Sequence, residues 1–202
     1  MHRTYLANVL AAYLDFTIGC CAIVVLAVTF SVELVWWQVI VGGLLALLPD
    51  IDIAPMLIVG KTPRFDHRQS IFHRPILMLP VVALLGYLIG GTFWALASAI
   101  LVLYHYLHDI DWSGQRYGIA WFWPLSKQFW GPYGFFTPPT TVSHETWLKD
   151  KWLQPSHLSI IELSVALVAA IFLGVLLGVI TTWWFIGTLL LAAAMPLFVW
   201  YG

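Results

Sequence analysis

The 202-residue chain is 61% hydrophobic and only 9% charged, with a formal net charge of −1. A soluble domain carries about 25% charged residues, so this composition excludes a globule that presents a normal polar surface to water. The net charge indicates nothing about partners, and no block of basic residues indicates nucleic-acid binding. The two cysteines, Cys20 and Cys21, are adjacent in an apolar stretch, which excludes a disulfide framework and a zinc-finger spacing. We therefore expect a single integral membrane domain over residues 1–202.

Apolar segments of transmembrane length follow one another along the chain. A transmembrane helix needs roughly 20 apolar residues. Residues 9–30 and the shorter stretch 34–48 each predict one helix, and residues 160–200 are long enough to predict two. Residues 75–104 are ambiguous, because as one helix they would reach about 45 Å against a hydrocarbon core of about 30 Å. They form either one tilted helix or a helical hairpin that turns at Gly90-Gly91.

The basic residues decide between these two topologies. With a hairpin, all nine Lys and Arg residues fall on one side of the membrane, together with all seven histidines. With a single helix, the basic residues divide between the two sides. Because cytoplasmic loops carry an excess of Lys and Arg, we predict the hairpin and place the charged side in the cytoplasm. The resulting fold is an all-α polytopic bundle of about six transmembrane helices.

The first polar cluster ends the second helix, in the sequence Leu48-Pro49-Asp50-Ile51-Asp52. A carboxylate is costly beside the negative end of a helix dipole and next to the membrane. Two carboxylates that are two residues apart can flank a cation, so we predict Asp50 and Asp52 as metal ligands. The alternative is a polar helix stop behind Pro49, for which one aspartate would be enough.

The second cluster, residues 66–74, precedes the third helix and contains two histidines and two arginines. His67 and His73 lie in a predicted loop that leads into the helix and can bring them together. Neutral imidazole is the commonest metal ligand, so we predict both as ligands. We predict that Arg68 and Arg74 neutralise charge on a phosphate, because guanidinium groups bind phosphate oxygens well. For the arginines alone, the alternative is an interfacial loop that binds anionic headgroups.

The third cluster, residues 105–111, ends the fourth helix and contains two histidines and two aspartates. His105 and Asp109 are one helical turn apart and present a nitrogen and a carboxylate oxygen to the same cation. We predict both as metal ligands, and either Asp52 or His108 as a general base. A lone histidine here would be an interfacial polar residue, but the neighbouring carboxylates argue against that interpretation.

Residues outside the three clusters are further candidates for a role at the site. Asp15 lies inside the first predicted helix, where a carboxylate indicates either a functional group or a hydrogen-bonded packing residue. Residues 109–158 are rich in Trp and Pro, and Trp and Tyr concentrate at the headgroup level. We expect them to form a cytoplasmic-side interfacial loop that covers the metal site or simply holds the chain at the membrane surface. His144 and Glu145 in this loop could complete the site or be solvated.

The order of these clusters resembles that of the bacterial inner-membrane metal-dependent hydrolases, some of them described as LexA-regulated. That family shows Leu-Pro-Asp-x-Asp, a His-Arg segment followed by another His, His-x-x-x-Asp, and a Gly stretch that ends in Trp-Pro. The matching segments here are Leu48–Asp52, His67–His73, His105–Asp109 and Gly118–Pro124. The family often has a histidine in its first helix, which this chain lacks between Thr4 and Asp15. The resemblance implies an inner-membrane location and, through a distant similarity to zinc-dependent phospholipase C, phosphoester hydrolysis.

We therefore predict a metal-dependent hydrolase that cleaves a phosphoester of a lipid or lipid-linked substrate at the cytoplasmic face. The predicted ion is Zn²⁺, with Mn²⁺ or Fe²⁺ as alternatives. The predicted metal ligands are Asp50, Asp52, His67, His73, His105 and Asp109, and the predicted catalytic residues are Asp52, His108, Arg68 and Arg74. Three rival hypotheses are a transporter with Asp15 in its path, a haem-binding subunit that uses His73, His105 or His108, and a scaffold with a structural metal.

Overall fold

The structure, a computed structural model, describes residues 2–53, 69–110, 118–131, 134–136 and 157–176. Most of these residues are helical, which confirms the predicted helical class. The helices are α1 (His2–Thr29), α2 (Trp36–Ala46), α3 (Pro75–His108) and α4 (His157–Leu176). Short 3-10 turns lie next to the helices: Leu48–Asp52 follows α2, and Ile71–His73 precedes α3.

Helices α1 and α2 pack closely because glycines line their contact. A Cβ atom placed on Gly19 would lie 2.6 Å from the Cβ of Ala46 and 2.7 Å from the carbonyl oxygen of Gly42. Only a residue without a side chain permits this approach of the two backbones. Cys20 is buried in the same contact, and the thiol of Cys21 donates to the carbonyl of Ala169 in α4. Both cysteines therefore act as small packing residues.

Helix α3 reverses direction at the predicted turn, Gly90-Gly91. Gly91 has φ of 74° and ψ of −160°, a conformation that side chains disfavour and glycine adopts readily. Val82 and Val102 belong to one buried cluster, although a straight helix would separate them by about 30 Å. The element is therefore a hairpin of two arms, residues 75–89 and 92–108. Its first and last residues lie side by side.

Among the described residues, Ala11–Thr29 and the hairpin element Pro75–His108 are long and apolar enough, by length and composition, to cross a membrane. The shorter apolar helices Trp36–Ala46 and Ser159–Val175 accompany them. Large apolar side chains project from the outer surface of α3, among them Leu84, Leu88 and Ile89. These features describe a helical membrane protein. Six spans stay a prediction, because residues 177–202 lie outside the described part of the chain.

A short pair of strands departs from the all-α prediction. Strand β1 (Phe129–Gly131) pairs antiparallel with β2 (Gly134–Phe136), and Ile119 forms a bridge with Trp130. This segment packs on the end of α3, where the rings of Trp121 and Tyr106 are 6.3 Å apart. The all-α prediction is wrong for this segment, because backbone groups that pack against the protein need hydrogen-bond partners, which the strand pair supplies.

Candidate metal centre

Three ends of secondary structure meet at one place and bring two histidines and two aspartates together. Asp50 lies in the turn that follows α2, and His73 ends the turn that precedes α3. His105 lies in the last turn of α3, and Asp109 is its C-cap residue. The reversal at Gly90-Gly91 returns the second arm of α3 to its starting point. We call these residues the four-residue cluster.

The side-chain atoms of this cluster converge on one point. The Oδ1 atom of Asp50 lies 3.7 Å from Nε2 of His73 and 3.4 Å from Nε2 of His105. The Oδ2 atom of Asp109 lies 3.2 Å and 3.5 Å from the same two nitrogens. The four ligand atoms all lie within 4.8 Å of one another. In a tetrahedral zinc site, bonds of about 2.0–2.1 Å place neighbouring ligand atoms about 3.3 Å apart, so the cluster could hold a metal ion.

Burial of the histidines also fits a cation. His73 and His105 are completely buried, whereas the Asp50 side chain is 25% exposed. The Nε2 atom of His105 lies 3.4 Å from Asp50 and 3.5 Å from Asp109, which is longer than an ordinary hydrogen bond. A buried nitrogen without a close partner costs free energy, and an ion bound at Nε2 would remove that cost there. The donor set and its burial therefore suit a metal.

The surroundings of His73 favour its charged form. Burial lowers its pKa, but hydrogen bonds with Asp109 and Asp52 and the negative charges of Asp109 and Asp50 outweigh that effect and raise it. The ring therefore keeps its proton at a pH at which an ordinary histidine has lost it. A cation that binds this nitrogen displaces the proton, because metal ligands must be deprotonated.

Asp52, predicted both as ligand and as base, lies behind His73 and outside the four-residue cluster. Its Oδ2 atom accepts a hydrogen bond from the Ser70 hydroxyl. The same oxygen is 3.4 Å from Nδ1 of His73, the ring nitrogen that faces away from the other three residues. Asp52 can therefore orient the His73 ring from the side opposite to the other three residues.

His108, the other predicted base, also faces away from the four-residue cluster. Its Nδ1 atom is 2.9 Å from Oδ1 of Asp15, and its Nε2 atom is 3.4 Å from Oε1 of Glu162 in α4. The other oxygen of Asp15 is 3.5 Å from Nδ1 of His105. No spacing in the sequence indicated these contacts, because they depend on how α1 and α4 pack against α3. Only the unusual position of Asp15 inside an apolar helix pointed to a role.

Arg74, which follows His73 in sequence, is buried next to aromatic rings. Its guanidinium carbon lies 5.4 Å from the ring centroid of Trp123 and 5.5 Å from that of Phe129. One of its nitrogens donates to the carbonyl of Gln69 at 2.8 Å. The remaining predicted site residues, His67 and Arg68, lie outside the described residues, as do His144 and Glu145. Their roles stay predictions.

Comparison with known proteins gives the family of the chain. A family model described as YdjM inner membrane protein matches residues 15–200, which include the whole four-residue cluster. Comparisons with curated proteins and with solved structures gave no significant match. The description confirms the predicted inner-membrane location and says nothing of hydrolysis or of phospholipase C. By this match over most of its length, the chain belongs to the YdjM inner membrane protein family.

Proposed function

We propose that this protein is a metal-dependent hydrolase that cleaves a phosphoester of a lipid or lipid-linked substrate at the cytoplasmic face of the inner membrane. The observation that carries the proposal is the four-residue cluster, which gathers two imidazoles and two carboxylates at the end of apolar helices. Mixed nitrogen and oxygen ligands suit Zn²⁺ first, with Mn²⁺ or Fe²⁺ as alternatives.

The exposure and orientation of the side chains assign a role to each residue of the site. A bound divalent ion would supply Lewis-acid chemistry, which polarises a phosphoryl oxygen and acidifies water. Asp50 is the most exposed of the four ligands, so the substrate would approach from its side. Asp52 and His108 face away from the ligand atoms. In this proposal the proton acceptor is therefore the Asp50 carboxylate, and Asp52 holds His73 in place.

Arg74 supplies the positive charge that phosphoester chemistry needs. It adjoins His73 in sequence, and the flanking rings of Trp123 and Phe129 keep its guanidinium in one orientation. A planar guanidinium binds two phosphate oxygens at once, and a fixed orientation lowers the entropic cost of doing so. We assign to Arg74 the stabilisation of negative charge on the phosphoryl group.

The length of the hairpin arms supports a lipid substrate. At 1.5 Å per residue, residues 75–89 reach about 22 Å, less than the hydrocarbon core of about 30 Å. In the proposed six-span topology, each arm crosses the bilayer, and residues 160–200 supply the last two spans. The short arms would then place the cluster slightly below the cytoplasmic surface, within reach of a lipid phosphate. Exposed apolar residues on both arms, such as Leu88 and Ile100, are consistent with crossing.

One observation favours a second candidate, a membrane scaffold with a structural metal. Structural zinc sites use four protein ligands, whereas catalytic sites usually keep one position open. The four-residue cluster offers four ligands. The transporter and haem hypotheses gain no comparable support, because Asp15 contacts two histidines and the carboxylates suit a hard cation better than a porphyrin.

Metal analysis and a hydrolysis assay on the same preparation separate these candidates. Detergent-purified protein should contain stoichiometric metal and release a headgroup or phosphate from phospholipid after loading with Zn²⁺ or Mn²⁺. His105→Ala should lose both properties. Ser98→Ala should lose neither, since Ser98 is equally buried in the same arm but lies away from the cluster. Stoichiometric metal without hydrolysis of any phosphoester would favour the structural candidate, and protein that binds no metal would exclude both.

A further inference from the structure

Each histidine of the four-residue cluster has a buried carboxylate next to the ring nitrogen that points away from the other ligands. Their Nε2 atoms face the cluster, so each Nδ1 atom points to the opposite side. Nδ1 of His73 is 3.4 Å from Asp52, and Nδ1 of His105 is 3.5 Å from Asp15. Asp52 is a near neighbour of the cluster in sequence. Asp15 instead comes from α1 and is only 3% exposed.

Asp15 lies between two histidines of the second arm of α3. Its Oδ1 atom is 2.9 Å from His108, which in turn contacts Glu162 of α4. Thr17, the nearby buried polar residue of α1, donates to the carbonyls of Tyr13 and Leu14 in its own helix. The two oxygens of Asp15 thus face different histidines, with Oδ1 next to His108 and Oδ2 next to Nδ1 of His105. A carboxylate inside an apolar helix is costly, so its placement calls for a compensating role.

We propose that Asp15 is a positioning residue of the metal centre. It holds the proton of neutral His105 on Nδ1 and thereby directs the lone pair of Nε2 to the cation. Histidines that bind metals commonly donate their other ring N–H to a carboxylate, which fixes the ring and makes it a stronger ligand. The inference rests on the proposed metal-dependent function and gives Asp15 a role different from a transport path.

The variant Asp15→Asn tests this role with little change in shape. The amide nitrogen of asparagine can donate to Nδ1 of His105, which favours the wrong tautomer, with the proton on the nitrogen that should bind metal. We expect the affinity for Zn²⁺ or Co²⁺ to fall about 10- to 100-fold, and the visible Co²⁺ spectrum to change. Thr17→Val, the matched control in the same helix, should change neither. A variant Asp15→Asn with the wild-type affinity and Co²⁺ spectrum would overturn the proposal.

A measurement on the wild-type protein tests the same role of Asp15 without any substitution at that position. Histidine ¹⁵N NMR of the metal-free protein, at a pH at which the rings are neutral, reports the tautomer of each ring. The His105 signals are assigned from His105→Gln. A proton on Nδ1 of His105 supports the proposal, and a proton on Nε2 overturns it. Wild-type protein that binds no metal would refute the proposed function and this inference together, whereas bound metal with the proton on Nε2 would refute the inference alone.

Discussion

The contact between α1 and α2 and the four-residue cluster are both buried, but they depend on opposite properties. The first is apolar, and glycines such as Gly19 and Gly42 bring the backbones together. The second buries imidazoles beside carboxylates, which costs free energy unless a ligand or a charge partner compensates. Close apolar packing therefore stabilises the fold, whereas the polar cluster depends on a bound ion or a charge partner. Substitutions should therefore separate stability from metal binding.

The largest effect is expected from a substitution in the apolar contact between α1 and α2. Gly19→Val places methyl groups where a single Cβ would already lie 2.7 Å from the backbone oxygen of Gly42. Overpacking costs typically 1–3 kcal/mol, and a clash with backbone should reach at least about 3 kcal/mol. Thermal unfolding in detergent measures the loss. If Gly19→Val melts like the wild type, α1 and α2 do not pack in this way.

The second largest effect is expected on the stabilisation that a metal bound at the four-residue cluster provides. Metal at 100 times its Kd should raise the free energy of unfolding by about 2.7 kcal/mol, because it binds the folded state. Asp109→Asn removes one ligand, and its stability should respond much less to added metal. The measurement is the shift in melting temperature with and without chelator. Equal shifts in both proteins would place the ion elsewhere.

A smaller effect tests the proposed role of Arg74. Arg74→Lys keeps the charge but loses the planar group between Trp123 and Phe129. We expect kcat/KM for the phospholipid to fall about tenfold, the equivalent of one 1.4 kcal/mol interaction, with metal content unchanged. An unchanged kcat/KM would argue that Arg74 serves only the packing of the aromatic segment.

The smallest effect is expected from a substitution on the exposed apolar surface of α3. Leu88 in the first arm of α3 is 70% exposed within the protein. Leu88→Ala should change the free energy of unfolding by less than about 0.5 kcal/mol, since the side chain loses few protein contacts. This variant serves as the reference for Gly19→Val in the same melting assay. A loss as large as that of Gly19→Val would mean that another surface covers Leu88.

The sequence predicted the members of the cluster better than their surroundings. All four residues were among the predicted ligands, because charged groups at the ends of apolar helices stand out. The hairpin also followed from the one-sided charge, and the structure forms it at Gly91. The placement of Asp52 behind His73 did not follow, because it depends on the rotation of a short 3-10 turn. The strands at 129–136 were missed, since three residues are too few to show an alternating pattern.

The reversal at Gly90-Gly91 also makes the site sensitive to chain length. One residue inserted between 92 and 104 would turn His105 and Asp109 by about 100° about the helix axis and shift them by about 1.5 Å. Both would then leave His73 and Asp50. An insertion of two whole turns restores the angle but raises the ligands by about 10 Å. The number of residues in each arm is therefore as much a part of the site as the ligands that it carries.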